Sequence, residues 1–495
     1  MIATGDARPR QEAVGTDDLR ALLNAQKAAF LQVGPPDARE RALRIDRLLA
    51  LLLENAHALA EAMSEDFGHR SHELSLATDV LGIVPSIKYT RRHFHAWMKP
   101  QRVCAGMLGW GGGRAWIQRQ PLGVVGIVSP WNFPVALALQ PLAEAFAAGN
   151  RAMIKLSELT PRTAALLQDL FRKAFDPQVA AIVIGGPEVG AEFCRLPFDH
   201  LFFTGAPQVG RLVQRAAADN LVPTTLELGG KCPVVVAAEA DLKSAAAKIA
   251  FGKTLNAGQI CLSPDYVFVK RGRERAFVEA MREAITRLFP RLLGNADYTS
   301  LIAQRHYLRI RSYLDEARSG GAELIEINPA GESFDGQPHF KLPPTLVLGA
   351  TRGMKLLSEE IFGPVLPVLV YDHPDEIIAH INAGSRPLAL YYFGPLDATC
   401  KKCLDRTWSG GVVINDVIVH AMVDALPFGG VGASGMGSYH GRHGFNTFSH
   451  ARGIVKAGFL SPTLLMSPPY KRLRPLFDWM VRREVRAVRH RLHGA

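Results

Sequence analysis

Between Asp18 and about Met98 the apolar residues recur at helical spacing, as in Ala42, Ile45, Leu48, Leu49, Leu52 and Leu53. That spacing predicts helices. The Leu48–Leu53 run is far shorter than a membrane span and reads as the core face of one of them. The glycine-rich stretch 106–113 reads as a turn between two short strands. From Pro121 the pattern changes, and short apolar runs alternate with helical stretches, as in a βαβ array. The runs 123–130, 151–157, 179–186 and 199–205 read as buried strands. Thr160 reads as an N-cap with Pro161 in the first helical position, and Pro187 opens the next helix. Val209, Leu212, Val213, Ala216 and Ala217 mark an amphipathic helix after the fourth strand. A second α/β series starts at about Lys231, with PVVV, DYVFV, LPVLVY and GGVVIN as its clearest strands. The boundary is expected near Gly229-Gly230. The expected fold class is α/β, with a nucleotide-binding array first. Residues 1–18 are polar and expected to be poorly ordered.

Composition narrows this only a little. A chain of 495 residues suits two or three domains, and 48% hydrophobic with 21% charged residues is ordinary for a soluble protein. The net charge of +11 suggests nucleic acid until it is located. From Lys471 onward eight Lys and Arg face Asp478 and Glu484 alone, so +6 of the total sits in this tail. No nucleic-acid partner is expected. Apolar residues stand among these arginines. The tail (461–495) therefore reads as a basic amphipathic helix, packed on its own protein or a partner subunit, or lying on an anionic membrane surface. Six scattered cysteines argue for a reducing compartment, and the first fifteen residues lack the apolar core of a signal peptide, so a cytoplasmic location is expected.

Several short stretches carry candidate chemistry. Cys261 follows a polar, glycine-containing loop and precedes a strand, where a thiolate would be a nucleophile. An inert buried cysteine is the alternative. A strand delivers Glu227 into a Gly-Gly turn, a candidate general base or a carboxylate capping nearby N–H groups. Pro130–Pro134 closes the first strand, and Asn132 there can aim an amide donor at an oxyanion. Lys155 and Glu158 fall just past a strand end, where α/β sheets bind ligands. Gly205 and Gly210 flank a strand-to-helix turn that suits a phosphate, but the spacing lacks the middle glycine of the usual dinucleotide fingerprint. Cys400 and Cys403 lack a second pair for zinc, and His440 and His443 lack a carboxylate nearby, so no metal site is expected.

Taken in order, PWNFP, IKLSE, FTG, LELGGK, GQIC, EEIFGP and PFGG resemble the aldehyde dehydrogenase superfamily over roughly residues 20–460. HAWMKPQRV, CLSPDYVFV, RPLALYYFG and SGMGSYHGRHGFNTFSH are similar to its class 3 branch. The resemblance implies a Rossmann-like NAD-binding domain (19–102 and 119–229), an α/β catalytic domain (230–444) and bridging strands for a homodimer (103–118 and 445–460). It implies oxidation of a small-molecule aldehyde to the acid through a Cys261 thiohemiacetal and thioester. Asn132 with the Cys261 backbone N–H would hold the oxyanion, and Glu227 would activate water. Cofactor residues by the same matching are Ser129, Pro130, Trp131, Lys155, Glu158, Thr204, Gly205, Gly210, Leu228, Glu360 and Phe362. The carboxylate at 158 favours NAD, with NADP possible. Aromatic aldehydes of the coniferyl or hydroxycinnamyl type are the expected substrates, with medium- or long-chain aliphatic aldehydes the alternative. A thiol esterase or acyl transferase using the same cysteine is the rival reaction.

Overall fold

A computed structural model describes residues 16–459, 463 and 467–493. Its strands, in chain order, are β1 (Gln101–Val103), β2 (Arg114–Pro121), β3 (Val124–Val128), β4 (Arg151–Lys155), β5 (Ala180–Val183), β6 (His200–Gly205), β7 (Thr224–Leu228), β8 (Pro233–Val236), β9 (Tyr266–Lys270), β10 (Glu323–Glu326), β11 (Thr345–Leu348), β12 (Val365–Tyr371), β13 (Ala389–Phe393), β14 (Gly411–Ile414), β15 (Gly435–Met436) and β16 (Ser449–Lys456). They form three sheets, ordered β1-β2-β16, β10-β11-β12-β9-β8-β13-β14 and β15-β7-β6-β3-β4-β5.

In the six-stranded sheet β3 to β7 run parallel, and only β15 pairs antiparallel, Gly435 opposite Glu227. Helices cover parallel strands on both faces, so β3, β4 and β6 are buried almost throughout rather than alternately, with polar residues only toward the ends of β4 and β6. The chain steps from β3 to β4 and β5 on one side, then returns to β6 and β7 on the other. This makes a switch point between β3 and β6, where the strand ends open a crevice. The seven-stranded sheet is likewise parallel except for β10. The chain changes sheets between Leu228, the end of β7, and Pro233, the start of β8.

The chain divides into two units, 1–97 with 120–450, and 98–119 with everything from 451 onward. Both α/β sheets lie in the first. The second holds β1 with the start of β2, most of β16, and a helix at Arg474–His493.

Three expectations need correction. Residues 16–18 are not disordered: they open a helix, Thr16–Val33, whose Leu19 and Leu23 are buried. Asp17 and Asp18 suit its first turn, where the helix dipole favours negative charge. Residues 1–15 lie outside the described ones. The stretch 106–113 is more than a turn, since Met107–Trp110 forms one helical turn between β1 and β2. Thr160 occupies the N-cap position of the helix Pro161–Ala174 but makes no side-chain cap. Asp66 caps it instead, accepting from the N–H groups of Arg162 and Thr163 at 2.9 Å each.

One buried ion pair fixes the loop after β3. Arg70 and Asp79 are both fully buried and meet at 2.6 Å. Burial pulls the guanidinium down and the carboxyl up from their ordinary ranges, and each partner's charge opposes the other's shift. Asp79 Oδ1 accepts from the N–H groups of Val135 and Ala136, where the helix Ala136–Ala148 begins. Arg70 Nη1 donates to the backbone oxygen of Asn132 at 2.9 Å. Arg70→Met would leave the carboxylate buried without a counter-charge, a loss of about 3–5 kcal/mol. The thermal unfolding midpoint of this variant should drop by several degrees, and an unchanged midpoint would count against the pair as a structural tie.

Candidate active site

The sequence between the helix Leu242–Thr254 and β9 adopts an unusual backbone. Asn256, Ala257 and Gly258 have φ of 50°, 52° and 74°, three left-handed residues in succession. Two of them are not glycine, which costs about 1–2 kcal/mol each. The structure offsets this strain with side-chain bonds. Gln259 spans the loop: its Nε2 donates to the oxygens of Asn256 and Ser300 at 3.0 Å, and its Oε1 accepts from Ile302 N–H. Two positions further on, Cys261 emerges half-buried. Its backbone oxygen lies 3.3 Å from the thiol of Cys232.

The loop after β3 is bonded directly to this turn. Asn132 Nδ2 donates to the oxygen of Gln259 at 3.1 Å, and Asn256 Nδ2 donates to the oxygen of Asn132 at 3.2 Å. Both amides are buried. The end of β3 in one sheet and the approach to β9 in the other are thus held in one register.

A cavity of about 470 Å³ opens at this junction. Of the residues singled out by sequence, Pro130, Trp131, Asn132, Thr204, Gly205, Glu227, Cys261, Glu360 and Phe362 line it. Trp131 meets Phe362 edge-on at 5.3 Å, and Phe362 itself has φ of 49°. Five others are not in the lining. Ser129 is buried, its N–H donating to the oxygen of Lys155. Lys155 is buried too, its ammonium donating to the oxygens of Leu156 and Gly185 at 2.6 and 2.8 Å. Glu158 is exposed. Gly210 lies against Leu228, where an added Cβ would come within 2.6 Å of that side chain.

The cavity's electrostatics are those of buried acids. Burial, then Glu360 and Glu227, push the Cys261 thiol up to about 12. Burial first and the carboxylate of Glu144 second hold Glu227 well above the usual carboxylate range. Glu360 is pushed up to about 8, chiefly by burial and then by Asp265. Both Glu227 oxygens, Glu360 Oε1 and Thr204 Oγ1 are buried with no hydrogen-bond partner. Such groups are costly unless something else satisfies them.

Residues the sequence reading missed also line the cavity, among them Lys231, His306, Arg309 and Arg386. Lys231 bonds Asp265 and the oxygens of Leu356 and Glu359, while Arg309 bonds the oxygens of Glu360 and Ile361. Together they fix the loop that carries Glu360. Lys231 directly follows the Gly-Gly turn after Glu227 and was within reach of the pattern. Arg309 sits on the helix Gln304–Ser319 beside its buried residues Ile310, Tyr313 and Ala317, and nothing in its spacing marks it. Cys400 and Cys403 are free and buried, His440 stacks on Phe428 at 4.8 Å, and among the described residues no three metal-binding side chains gather.

Residues 3–454 match the model of the aldehyde dehydrogenase family, and the chain belongs to that family. Coniferyl aldehyde dehydrogenase of Pseudomonas sp. strain HR199 is 48% identical over 458 residues, 92% of this chain and 95% of that one. Among solved structures, the substrate-bound state of Staphylococcus aureus AldH superposes with a TM-score of 0.86 at 34% identity, covering 93% of this chain and 99% of that one. The NAD-dependent aldehyde dehydrogenase of Sinorhizobium meliloti superposes with a TM-score of 0.81 at 29% identity, covering 92% and 89%.

Gly258 is the position where the nucleophile loop admits no side chain. A Cβ there would stand 2.4 Å from the oxygen of Gly363, at a φ that L residues avoid. Gly258→Ala should displace Cys261, and an error near 1 Å costs about 100-fold in rate. Steady-state aldehyde oxidation by the purified variant checks this, and wild-type turnover would contradict it.

Proposed function

We propose that this protein oxidises aldehydes to carboxylic acids with NAD, on aromatic substrates of the coniferyl or other hydroxycinnamyl type. The observation that carries the reading is the single cavity lined by Cys261, Glu227, Asn132 and Glu360. A thiol, a base and an amide donor suit covalent capture of a carbonyl, and the unsatisfied Glu360 oxygen suits a further bound group.

The donor set fits a nicotinamide dinucleotide. Glu360 Oε1 and Thr204 Oγ1 lack partners inside the cavity, and a carboxylate and a hydroxyl suit ribose hydroxyls and amides. Trp131 and Phe362 give flat apolar surface beside them. Glu360 would hold the nicotinamide ribose. Lys155 and Glu158, at and beyond the end of β4, would face the adenosine ribose, where a carboxylate disfavours a 2′-phosphate. NAD is therefore the preferred form, with NADP the weaker one.

In the mechanism, Cys261 gives its proton to solvent water and Sγ bonds to the aldehyde carbon. The negative charge moves to the carbonyl oxygen. Asn132 keeps one Nδ2–H on the Gln259 oxygen, and its second N–H with the Cys261 backbone N–H holds that oxyanion. A nicotinamide held beside Glu360 and Thr204 would supply the acceptor for the hydride of the aldehyde carbon. The product on Cys261 is a thioester. Glu227 takes a proton from water as the water oxygen attacks the acyl carbon, the C–S bond breaks, and the acid leaves. Glu227 favours this hydrolytic path over a transfer to another acceptor. The rival thiol esterase has no use for the unsatisfied Glu360 beside the cysteine.

The same reading includes a homodimer through β1, β2 and β16, of which β1 and β16 are largely exposed and β2 is largely half-buried in the single chain. It also includes a cytoplasmic setting, supported by six cysteines that are all free. Among the described residues no helix is long and apolar enough to cross a membrane.

Cys261→Ala should abolish NAD-dependent conversion of coniferyl aldehyde to its acid, followed by chromatography of the product. Retained oxidation would refute the mechanism. A panel with long-chain aliphatic aldehydes should show higher kcat/KM for coniferyl aldehyde, and the reverse order would overturn the substrate assignment.

The raised acids set a pH dependence. The Cys261 thiolate and the Glu227 carboxylate both form only above their ordinary ranges, so reactive forms accumulate as pH rises. kcat/KM should climb from about pH 6 to about pH 9 and fall on acidification. A flat profile over that interval would contradict the assigned roles.

A further inference from the structure

The helix Arg474–His493 stands outside the family match and has an uncovered face. Phe477, Met480, Val481, Val485, Val488 and Leu492 recur at steps of three and four, so they form one stripe along its length. Their exposures run from 41% at Phe477 to 72% at Leu492, so the described residues of their own unit leave them uncovered. Arg482, Arg486 and Arg489 follow the same steps on the opposite side. Trp479 lies among them with Arg483 stacked on its ring at 5.7 Å. The helix has only Asp478 and Glu484 as acids.

This division selects the occupant. A second copy of the helix could cover the apolar stripe but would leave the arginine faces of both copies without a counter-charge. A bilayer with anionic headgroups satisfies both faces together. The apolar stripe enters the acyl boundary while the arginines stay at headgroup level.

We propose that Arg474–His493 is a membrane-surface helix that docks the enzyme on anionic phospholipid bilayers, lying in the interface without crossing it. The binding free energy comes from apolar burial plus attraction of the arginines to the headgroups, so it weakens with salt. The docking does not depend on the identity of the aldehyde.

The test uses the full-length protein and sedimentation with vesicles of phosphatidylcholine containing about one quarter phosphatidylglycerol, against pure phosphatidylcholine. The protein should pellet with the anionic vesicles at low salt, stay in solution with the zwitterionic ones, and be released by high salt. The triple variant Arg482→Glu, Arg486→Glu, Arg489→Glu should bind at least about 100-fold more weakly. Phe477→Ser with Leu492→Ser should also bind more weakly, while both variants keep aldehyde oxidation in solution. Absence of pelleting at low salt, equal binding to both vesicle types, or undiminished binding of the triple variant would overturn the proposal. So would a changed oligomeric mass in the triple variant with vesicle binding unaltered, which would assign the helix to a subunit interface.

Discussion

The amide of Asn132 on the Gln259 oxygen, returned by the amide of Asn256 on the Asn132 oxygen, is the contact on which the site depends. Each bond alone is worth about 1 kcal/mol net. Their value lies in geometry. They bind the crevice loop of one parallel sheet to the nucleophile loop of the other, so an oxyanion donor and a thiol face one cavity. Neither loop reaches that arrangement from local propensity.

Strain and buried charge surround this contact, as expected where function opposes stability. The left-handed run before Cys261 is held open by Gln259, and Phe362 is held at positive φ beside it. Arg70 and Asp79 support the other loop from beneath with a pair that is expensive to bury and more expensive to break. The raised acids follow from the same seclusion. The burial that encloses the cavity disfavours the charged forms of Cys261 and Glu227, and bound partners must restore their reactivity.

The strands and most of the site were legible in the sequence because parallel strands buried on two faces leave unbroken apolar runs. The residues that cap such strands stand out against them. Asn132, Glu227 and Cys261 stood out beside such runs, Glu360 was named by resemblance to the family alone, and the cavity gathers all four. The illegible parts are contacts between distant segments. Asp66 takes the cap position that Thr160 suggested, across nearly a hundred residues. Arg70, Asp79 and Arg309 look like surface charges, because spacing reports which face a residue lies on and not which loop arrives there. Thr16 to Asp18 were polar enough to pass for a tail, though as the first turn of a helix they needed only Leu19 and Leu23 behind them to become ordered.

The central claim is that the acyl group passes through a covalent bond to Cys261 before water releases it. Mass spectrometry of peptides from the Glu227→Gln variant, quenched in acid after mixing with NAD and coniferyl aldehyde, tests this most directly. The account predicts that the peptide containing Cys261 carries the mass of the feruloyl group as a thioester. An unmodified Cys261 while one equivalent of NADH forms, or the acyl mass on another residue, would contradict it.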